Sequence, residues 1–139
     1  MLRNKKKNDL NDAKWIGVGG HIEPGESKED TLLREVKEET GLILTDFSYR
    51  GELLFINNDY EEIIYLFTSD SFTGELIQCD EGELRWINKD KILNLNLWEG
   101  DRAFLPQLIN GNKEIRMTLL YNNKELVKII DGGDIDENR

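Results

Sequence analysis

Apolar and polar residues alternate along most of the chain, in runs that predict short β-strands. The runs are rich in β-branched and aromatic residues and are separated by turn residues such as Asn57-Asn58-Asp59. The pattern predicts strands over 13–18, 47–57, 60–70 and 83–88, the middle two forming a hairpin, and a last hairpin of EIRMTLLY and KELVKII around Asn122-Asn123.

Helical periodicity is clearest over residues 28–40. Ser27 is a good N-cap, Asp30 lies where a capping box requires an acceptor, and Gly41 follows as a C-terminal stop. An apolar stripe would dock this helix on a sheet: Leu32, Leu33 and Val36.

A second helix is expected over 101–110, closed by Gly111, in which Pro106 would cause a kink or place the start later. Strand signals exceed helix signals, so the sequence predicts an α/β (α+β) fold. No linker or repeat divides the chain. We expect one domain over residues 1–130 and a flexible polar tail over 131–139.

The formal net charge of −10 argues against binding to nucleic acid polymers or to anionic membranes. A free nucleotide is also an anion, so a phosphate substrate would need divalent cations at its site. The lysines at 5–7 are either a small basic patch or a solvated loop. No apolar run is long enough to span a membrane, and the N-terminus lacks the apolar segment of a signal peptide.

Cys79 is the only cysteine, so no disulfide can form within the chain, which suits a cytoplasmic location. No histidine motif accompanies Cys79, and we expect no nucleophilic role for it. His21, the sole histidine, is expected to be a loop residue that could face phosphates rather than a base. The oligomeric state does not follow from the sequence.

Three glutamates lie at i, i+3 and i+4 on the first helix: Glu35, Glu38 and Glu39. Like charges at this spacing destabilise a helix, and hard divalent cations bound by oxygen ligands would offset the repulsion. Arg34 is expected to hold one carboxylate by a charge-assisted contact. The alternative, for the glutamates alone, is a solvated acidic helix face.

The loop that precedes the helix favours the metal site over a solvated face. It contains Gly19-Gly20 and the tight turn of residues 23–26 (EPGE), and glycines permit a close approach of the backbone. Glu26, at the junction of loop and helix, adds another carboxylate.

Residues 20–42 read GHIEPGESKEDTLLREVKEETGL and fit the Nudix box, G-x5-E-x7-R-E-U-x-E-E-x-G-U with U aliphatic, at every fixed position. The chain therefore resembles the Nudix hydrolases. The resemblance implies a Nudix fold, with a mixed β-sheet sandwiched between helices. The fixed positions are filled by Gly20, Glu26, Arg34, Glu35, Val36, Glu38, Glu39, Gly41 and Leu42.

The resemblance also implies a role for each box residue. Mg²⁺ or Mn²⁺ would be bound by Glu35, Glu38, Glu39 and the backbone carbonyl of Gly20, and Arg34 would orient a glutamate. The expected reaction is attack of a metal-activated water on a phosphorus of a diphosphate bridge, in which positioning and electrostatics carry most of the catalysis.

Outside the box, the chain resembles the oxidised-purine nucleoside triphosphatases of the MutT type. The segment KWIGVGG is similar to (R/K)WNGFGG, and residues 98–106 are similar to W-P-D-D-x-x-x-F-P. Asp80-Glu81 followed by Trp86 is similar to DE-x4-W. The resemblance implies that Glu81 reaches the metal cluster from a facing loop as a ligand or base, and the alternative is a solvated acidic turn.

Two departures from this pattern concern the base. Ile16 replaces an asparagine that reads the purine edge, and Gly100 replaces the first of two paired aspartates, which leaves Asp101. An isoleucine cannot hydrogen-bond a base, so weak discrimination between bases is expected. Trp98 could stack on a purine or serve as a core tryptophan. The substrate-binding residues that the resemblance implies are Trp98, Asp101, Ile16 and Gly19.

A third departure concerns the start of the chain. Family members usually carry a further strand before the segment that matches LRNKKKND, so the sheet could lack its first strand and have an open edge.

The expected function is Mg²⁺-dependent hydrolysis of a nucleoside triphosphate to the monophosphate and pyrophosphate, as in an 8-oxo-dGTP diphosphatase that sanitises the nucleotide pool and so assists DNA repair. One alternative is a Nudix hydrolase of another nucleoside diphosphate linked to a group X, such as a dinucleotide or nucleotide sugar. Another is a catalytically weak nucleotide-binding module, against which the intact box argues.

Overall fold

The computed structural model describes residues 1–5, 10–111 and 113–132. The backbone forms two compact units. The first comprises Met1–Phe47 and Ser69–Leu97, and the second comprises Ser48–Thr68 and the chain from Trp98 onward. The predicted metal-site residues all belong to the first unit.

Helix α1 spans Lys28–Thr40, as the sequence predicts. The Ser27 side chain accepts a hydrogen bond from Asp30 N–H at 3.0 Å, and the Asp30 carboxylate accepts one from Ser27 N–H at 3.3 Å. This complete capping box satisfies two backbone donors that the helix leaves unpaired. Gly41 ends the helix with a φ of +80°. The predicted apolar stripe is buried unevenly, from buried Val36 through half-buried Leu32 to exposed Leu33.

The predicted central hairpin is present and longer than expected. Strand β1 covers Ile43–Asn57 and strand β2 covers Tyr60–Thr73. A two-residue turn joins them, and Asn58 in this turn adopts a φ of +54°, which asparagine tolerates better than most residues.

The sheet is mixed, with the strand order β2-β1-β3-β4, in which β3 is Ile115–Asn122 and β4 is Glu125–Asp131. Strand β3 pairs parallel with β1 and antiparallel with β4. The last hairpin is therefore confirmed, and its turn uses Asn123 and Lys124, both with positive φ, as a type I′ turn requires. A four-stranded mixed sheet with helices confirms the predicted α+β class.

The apolar core of the second unit lies along β1 and β3. Alternate residues of β3 are buried, ending at Tyr121, and β1 contributes Leu53 and Phe55. Gly51 stands opposite Ile115 in the parallel register, where an added Cβ would overlap the backbone of Ile115. Glycine is required there because the two strands approach so closely.

Helix α2 spans Asp101–Asn110 and ends at Gly111, as predicted. Pro106 lies inside the helix, so the alternative of a later start is wrong. Arg50 donates hydrogen bonds to the carbonyls of Gln107 at 2.8 Å, Leu108 at 3.1 Å and Gly111 at 2.7 Å. A cation there stabilises the negative end of the helix dipole and satisfies carbonyls that the helix leaves unpaired.

Two of the predicted strands are wrong. Within 13–18 only Trp15 makes a β-bridge, and within 83–88 only Glu83 does, in both cases with Leu2. The backbone of residues 13–16 is hydrogen-bonded to Met1 and Arg3, and that of Glu83 to Leu2. Each pairing covers too few residues to make a ladder, so these extended segments remain irregular. A short 3₁₀ helix, Lys89–Asn94, follows the second segment.

The ends of the chain are described in part. Asp131, which the sequence places in the tail, is the last residue of β4, and residues 133–139 of the predicted tail lie outside the described residues. Of the lysines at 5–7, the structure describes Lys5, whose Nζ donates to the carbonyl of buried Cys79 at 2.6 Å. Across the described residues, no helix is long and apolar enough to cross a membrane.

Candidate active site

The glycine-rich loop and helix α1 place the predicted metal-site residues side by side. Gly20 lies so close to the side chain of Glu35 that a Cβ at position 20 would overlap its carboxylate group. Gly25 adopts a φ of +83°, which permits the turn that leads into the helix. The loop therefore brings its backbone directly against a carboxylate of α1.

Arg34 is the centre of an ion-pair network on this face of α1. Its Nε and Nη2 bind the two oxygens of Glu26 at 2.7 and 2.8 Å, and its Nη1 binds Glu35 Oε1 at 2.6 Å. Nη1 also lies 3.3 Å from Glu38 Oε2. Instead of the predicted single carboxylate, Arg34 is hydrogen-bonded to three, and Glu23 lies 3.9 Å away as a fourth ion-pair partner. The bidentate pair with Glu26 was not predicted, although Glu26 fills a fixed position of the box.

The ion pair with Arg34 stabilises the ionised form of the Glu26 carboxylate. The hydrogen bonds from Arg34 lower the pKa of Glu26 to about 2, with a backbone hydrogen bond from the turn as the next cause. Arg34 also donates to the carbonyl of His21 at 3.3 Å. A guanidinium that binds the helix and both sides of the loop holds the loop against the helix.

Glu39 is the buried carboxylate of the cluster. Its Oε2 accepts a hydrogen bond from Gly19 N–H at 2.8 Å, and its side chain is hydrogen-bonded to Glu81. Burial, and then this contact with Glu81, raise the pKa of Glu39 to about 8. Two carboxyl groups in direct contact at a buried position disfavour the charged form of Glu39.

Glu81 comes from the irregular segment after β2, and it meets the cluster from outside α1. It is half-buried, whereas its neighbour Asp80 is exposed. This placement disfavours the solvated acidic turn for Glu81 and puts its carboxylate within reach of a water bound beside Glu39. Its role as the general base remains a prediction.

We expect Glu81→Gln to lower kcat by about a hundredfold and to raise KM less, because glutamine cannot accept the proton of the attacking water. The acidic limb of the pH–rate profile should shift as well. Steady-state kinetics against pH measures both effects. Glu83→Gln is the matched control, since Glu83 pairs with Arg85 at 3.0 Å on the surface, and it should keep the parent kcat. An unchanged kcat in Glu81→Gln would assign the base to the glutamates of α1.

The donor set at this site fits a hard divalent cation. The Glu35 carboxylate lies against Gly20, the Glu39 carboxylate accepts from Gly19 N–H, and carboxylate oxygens are the ligands that hard divalent cations prefer. Among the described residues, no three acidic, histidine or cysteine side chains converge closely enough to enclose an ion. The reason is visible in the contacts, because Glu35 turns to Arg34 and Glu38 is 60% exposed.

The predicted base-binding residues lie in different parts of the chain. In the first unit, Ile16 is half-buried and its carbonyl accepts a hydrogen bond from the N-terminal ammonium of Met1 at 2.8 Å. In the second unit, Trp98 is 4% exposed, and its ring packs edge-on against Phe55 at 5.3 Å between centroids. Asp101 is half-buried at the start of α2. The burial of Trp98 favours a packing role for most of its ring.

A family model for the NUDIX domain matches residues 1–108. The chain therefore belongs to the Nudix family of hydrolases, as the box predicts.

Among its relatives are MutT-like proteins and nucleotide hydrolases. It is 33% identical over 113 residues to the "Uncharacterized Nudix hydrolase YvcI" of Bacillus subtilis, covering 77% of this chain and 72% of that protein. It is 30% identical over 115 residues to the oxidized purine nucleoside triphosphate hydrolase of Danio rerio, covering 81% and 74%. The crystal structure of a MutT protein from Bacillus halodurans superimposes with a TM-score of 0.81 and 28% identity, over 84% of this chain and 81% of that one.

Proposed function

We propose that this Nudix hydrolase cleaves a nucleoside triphosphate to the monophosphate and pyrophosphate with Mg²⁺, or Mn²⁺, as cofactor, and that it removes oxidised purine nucleotides such as 8-oxo-dGTP from the cytoplasmic pool. The substrate in this proposal is a free nucleotide, not a nucleic acid polymer or a membrane. The similarity to an oxidized purine nucleoside triphosphate hydrolase supports this choice of substrate class.

The observation that carries the proposal is the meeting of carboxylates from two separate segments beside the glycine-rich loop. Glu39 from α1 is hydrogen-bonded to Glu81 from the segment after β2, next to Gly19 N–H. Such a contact between a buried and a half-buried acid is costly for stability and is typical of sites that bind cations or move protons.

Each residue of the first unit has a task in this proposal. Glu35, Glu38, Glu39 and the Gly20 carbonyl would hold Mg²⁺, which supplies neutralisation of phosphate charge and a lower pKa for water. Arg34 keeps Glu35 in place and ties the loop to α1 through Glu26. Glu81 accepts the proton of the attacking water, and the adjacent Gly19 lines the substrate.

The base would have fewer hydrogen-bonding partners than the MutT-type pattern provides. Ile16 offers no hydrogen-bonding side chain, and Asp101 is the remaining acid that would contact the base, with Trp98 as an apolar wall. A site with so few polar groups separates similar bases weakly.

The test is a panel of nucleotides incubated with Mg²⁺, scored for pyrophosphate against orthophosphate. We expect pyrophosphate from both 8-oxo-dGTP and dGTP, with kcat/KM values within about tenfold of each other because Ile16 cannot form the hydrogen bond of the asparagine that it replaces. A preference of thousands for 8-oxo-dGTP would show that Asp101 or backbone groups suffice to read the base. Turnover confined to dinucleotides or nucleotide sugars would favour the hydrolase of other nucleoside diphosphate derivatives, and binding without turnover would favour the weak binding module.

A further inference from the structure

Gly100 occupies a position at which no side chain fits. Its backbone has a φ of −65° and a ψ of −20°, a conformation open to every residue type, so backbone freedom does not explain the glycine. A Cβ there would lie 2.6 Å from the Tyr121 hydroxyl oxygen and 3.0 Å from Leu119 Cδ1. Glycine is required here because the Tyr121 side chain occupies the space that a Cβ would need.

Tyr121 is fixed in that space by its neighbours. Its side chain is 2% exposed, and its ring forms a three-ring cluster with Phe55 and Trp98, with centroids 5.2 and 5.0 Å away and those two rings 5.3 Å from each other. A fully buried ring in such a close-packed cluster cannot shift to admit an extra methyl group at low cost.

The Tyr121 hydroxyl also performs a capping function. It accepts a hydrogen bond from Gly100 N–H at 2.7 Å, and this amide stands at the N-terminus of α2, where the helix itself provides no acceptor. One residue later, Asp101 N–H donates to the Trp98 carbonyl at 3.0 Å. The turn Trp98–Asp101 is therefore held by the ring and by the hydroxyl of one tyrosine.

We propose that Tyr121 is a positioning residue of the base site: it holds the turn Trp98–Asp101, and thereby presents Asp101, while its hydroxyl excludes any side chain from position 100. The inference rests on the proposed function, which assigns the base to Trp98 and Asp101. Because Tyr121 acts on this turn, it determines the binding of the base and not of the sugar phosphate.

The first experiment compares two probes, dGMP and deoxyribose 5-phosphate, by isothermal titration calorimetry or NMR titration. Tyr121→Phe is expected to weaken binding of dGMP about tenfold, since Gly100 N–H loses its acceptor and the turn loosens, and to leave deoxyribose 5-phosphate unchanged. Tyr60→Phe is the matched control. Tyr60 contacts the same Phe55 ring, at 6.1 Å between centroids, but its hydroxyl donates to Glu62 in a solvent-exposed hydrogen bond, so both affinities should stay at the parent values.

The second experiment is a double-mutant cycle read by thermal unfolding. Gly100→Ala should lower Tm by roughly 10 °C, because its methyl group meets the hydroxyl of a ring that cannot move. In the Tyr121→Phe background the same change should lower Tm by less than half as much.

Each result decides the proposal. Equal weakening of both probes by Tyr121→Phe, the same change in Tyr60→Phe, or no binding of dGMP to the parent would overturn the positioning role. Additive Tm shifts would show that the Tyr121 hydroxyl is not the group that excludes a side chain from position 100. A selective loss of dGMP affinity in a chain that releases no pyrophosphate from any triphosphate would reject the proposed reaction and still support the role of Tyr121.

Discussion

Excess EDTA is expected to stop hydrolysis of a nucleoside triphosphate, with the rate falling at least about a thousandfold. The physical reason is electrostatic. The chain carries a formal net charge of −10, and the proposed metal site contains the carboxylates of Glu35, Glu38, Glu39 and Glu81. Without divalent cations these carboxylates would repel a triphosphate, and the charge developing on its phosphoryl oxygens would lose the neutralisation that the metal supplies.

The measurement is pyrophosphate release in Mg²⁺, in excess EDTA, and after Mn²⁺ or Mg²⁺ is restored. Circular dichroism and Tm in EDTA serve as the control, since the ion pairs of Arg34 with Glu26 and Glu35 join the loop to α1 through protein groups and should keep the chain folded in EDTA. Full turnover in EDTA by a folded protein would contradict a divalent cofactor.

The second large effect is expected from Glu38→Gln, which should lower kcat by about a thousandfold, roughly 4 kcal/mol of barrier. Glu38 is 60% exposed, and within the part of the chain that the structure describes its ion-pair partner is Arg34 Nη1 at 3.3 Å, a pair of the i,i+4 type. Exposed pairs of this type contribute well under about 1 kcal/mol to stability. Loss of a metal ligand should therefore reduce turnover strongly while Tm hardly changes.

Steady-state kinetics and thermal unfolding, run in parallel, separate these two effects. Glu29→Gln is the matched control, because Glu29 lies in the first turn of the same helix and outside the cluster. It should keep the parent kcat, with a small loss of stability from the helix dipole. A kcat for Glu38→Gln within about threefold of the parent, less than about 1 kcal/mol of barrier, would remove Glu38 from the metal site.

Features that depend on neighbouring residues were predictable from the sequence. The capping box of Ser27 and Asp30 and the turn at Asn58 act within a few residues, so the pattern predicts α1 and the central hairpin well. The segments 13–18 and 83–88 have the right residues for strands, but a strand also needs a partner, and Leu2 offers each of them one bridge. Extended propensity by itself does not specify a ladder.

In the candidate site, too, features set by residues close in sequence were predictable, and contacts between distant segments were not. The spacing of residues on α1 identified the glutamates, but it could not show which partner each one has. The pairing of Glu39 with Gly19 N–H and with Glu81 joins separate segments, and it depends on how the loop folds back. No sequence pattern pointed to Tyr121. Its position is reflected in the sequence at Gly100, where a Cβ would meet the Tyr121 hydroxyl.

The parallel pairing of β1 with β3 has a consequence for the newly synthesised chain. Both hairpins can close from residues that leave the ribosome together, but Gly51 and its neighbours pair with residues from Ile115 onward. Until β3 has been made, the apolar run Leu53–Ile56 has one free edge. Such an edge can pair with other chains, so this stretch of β1 is exposed to aggregation during translation.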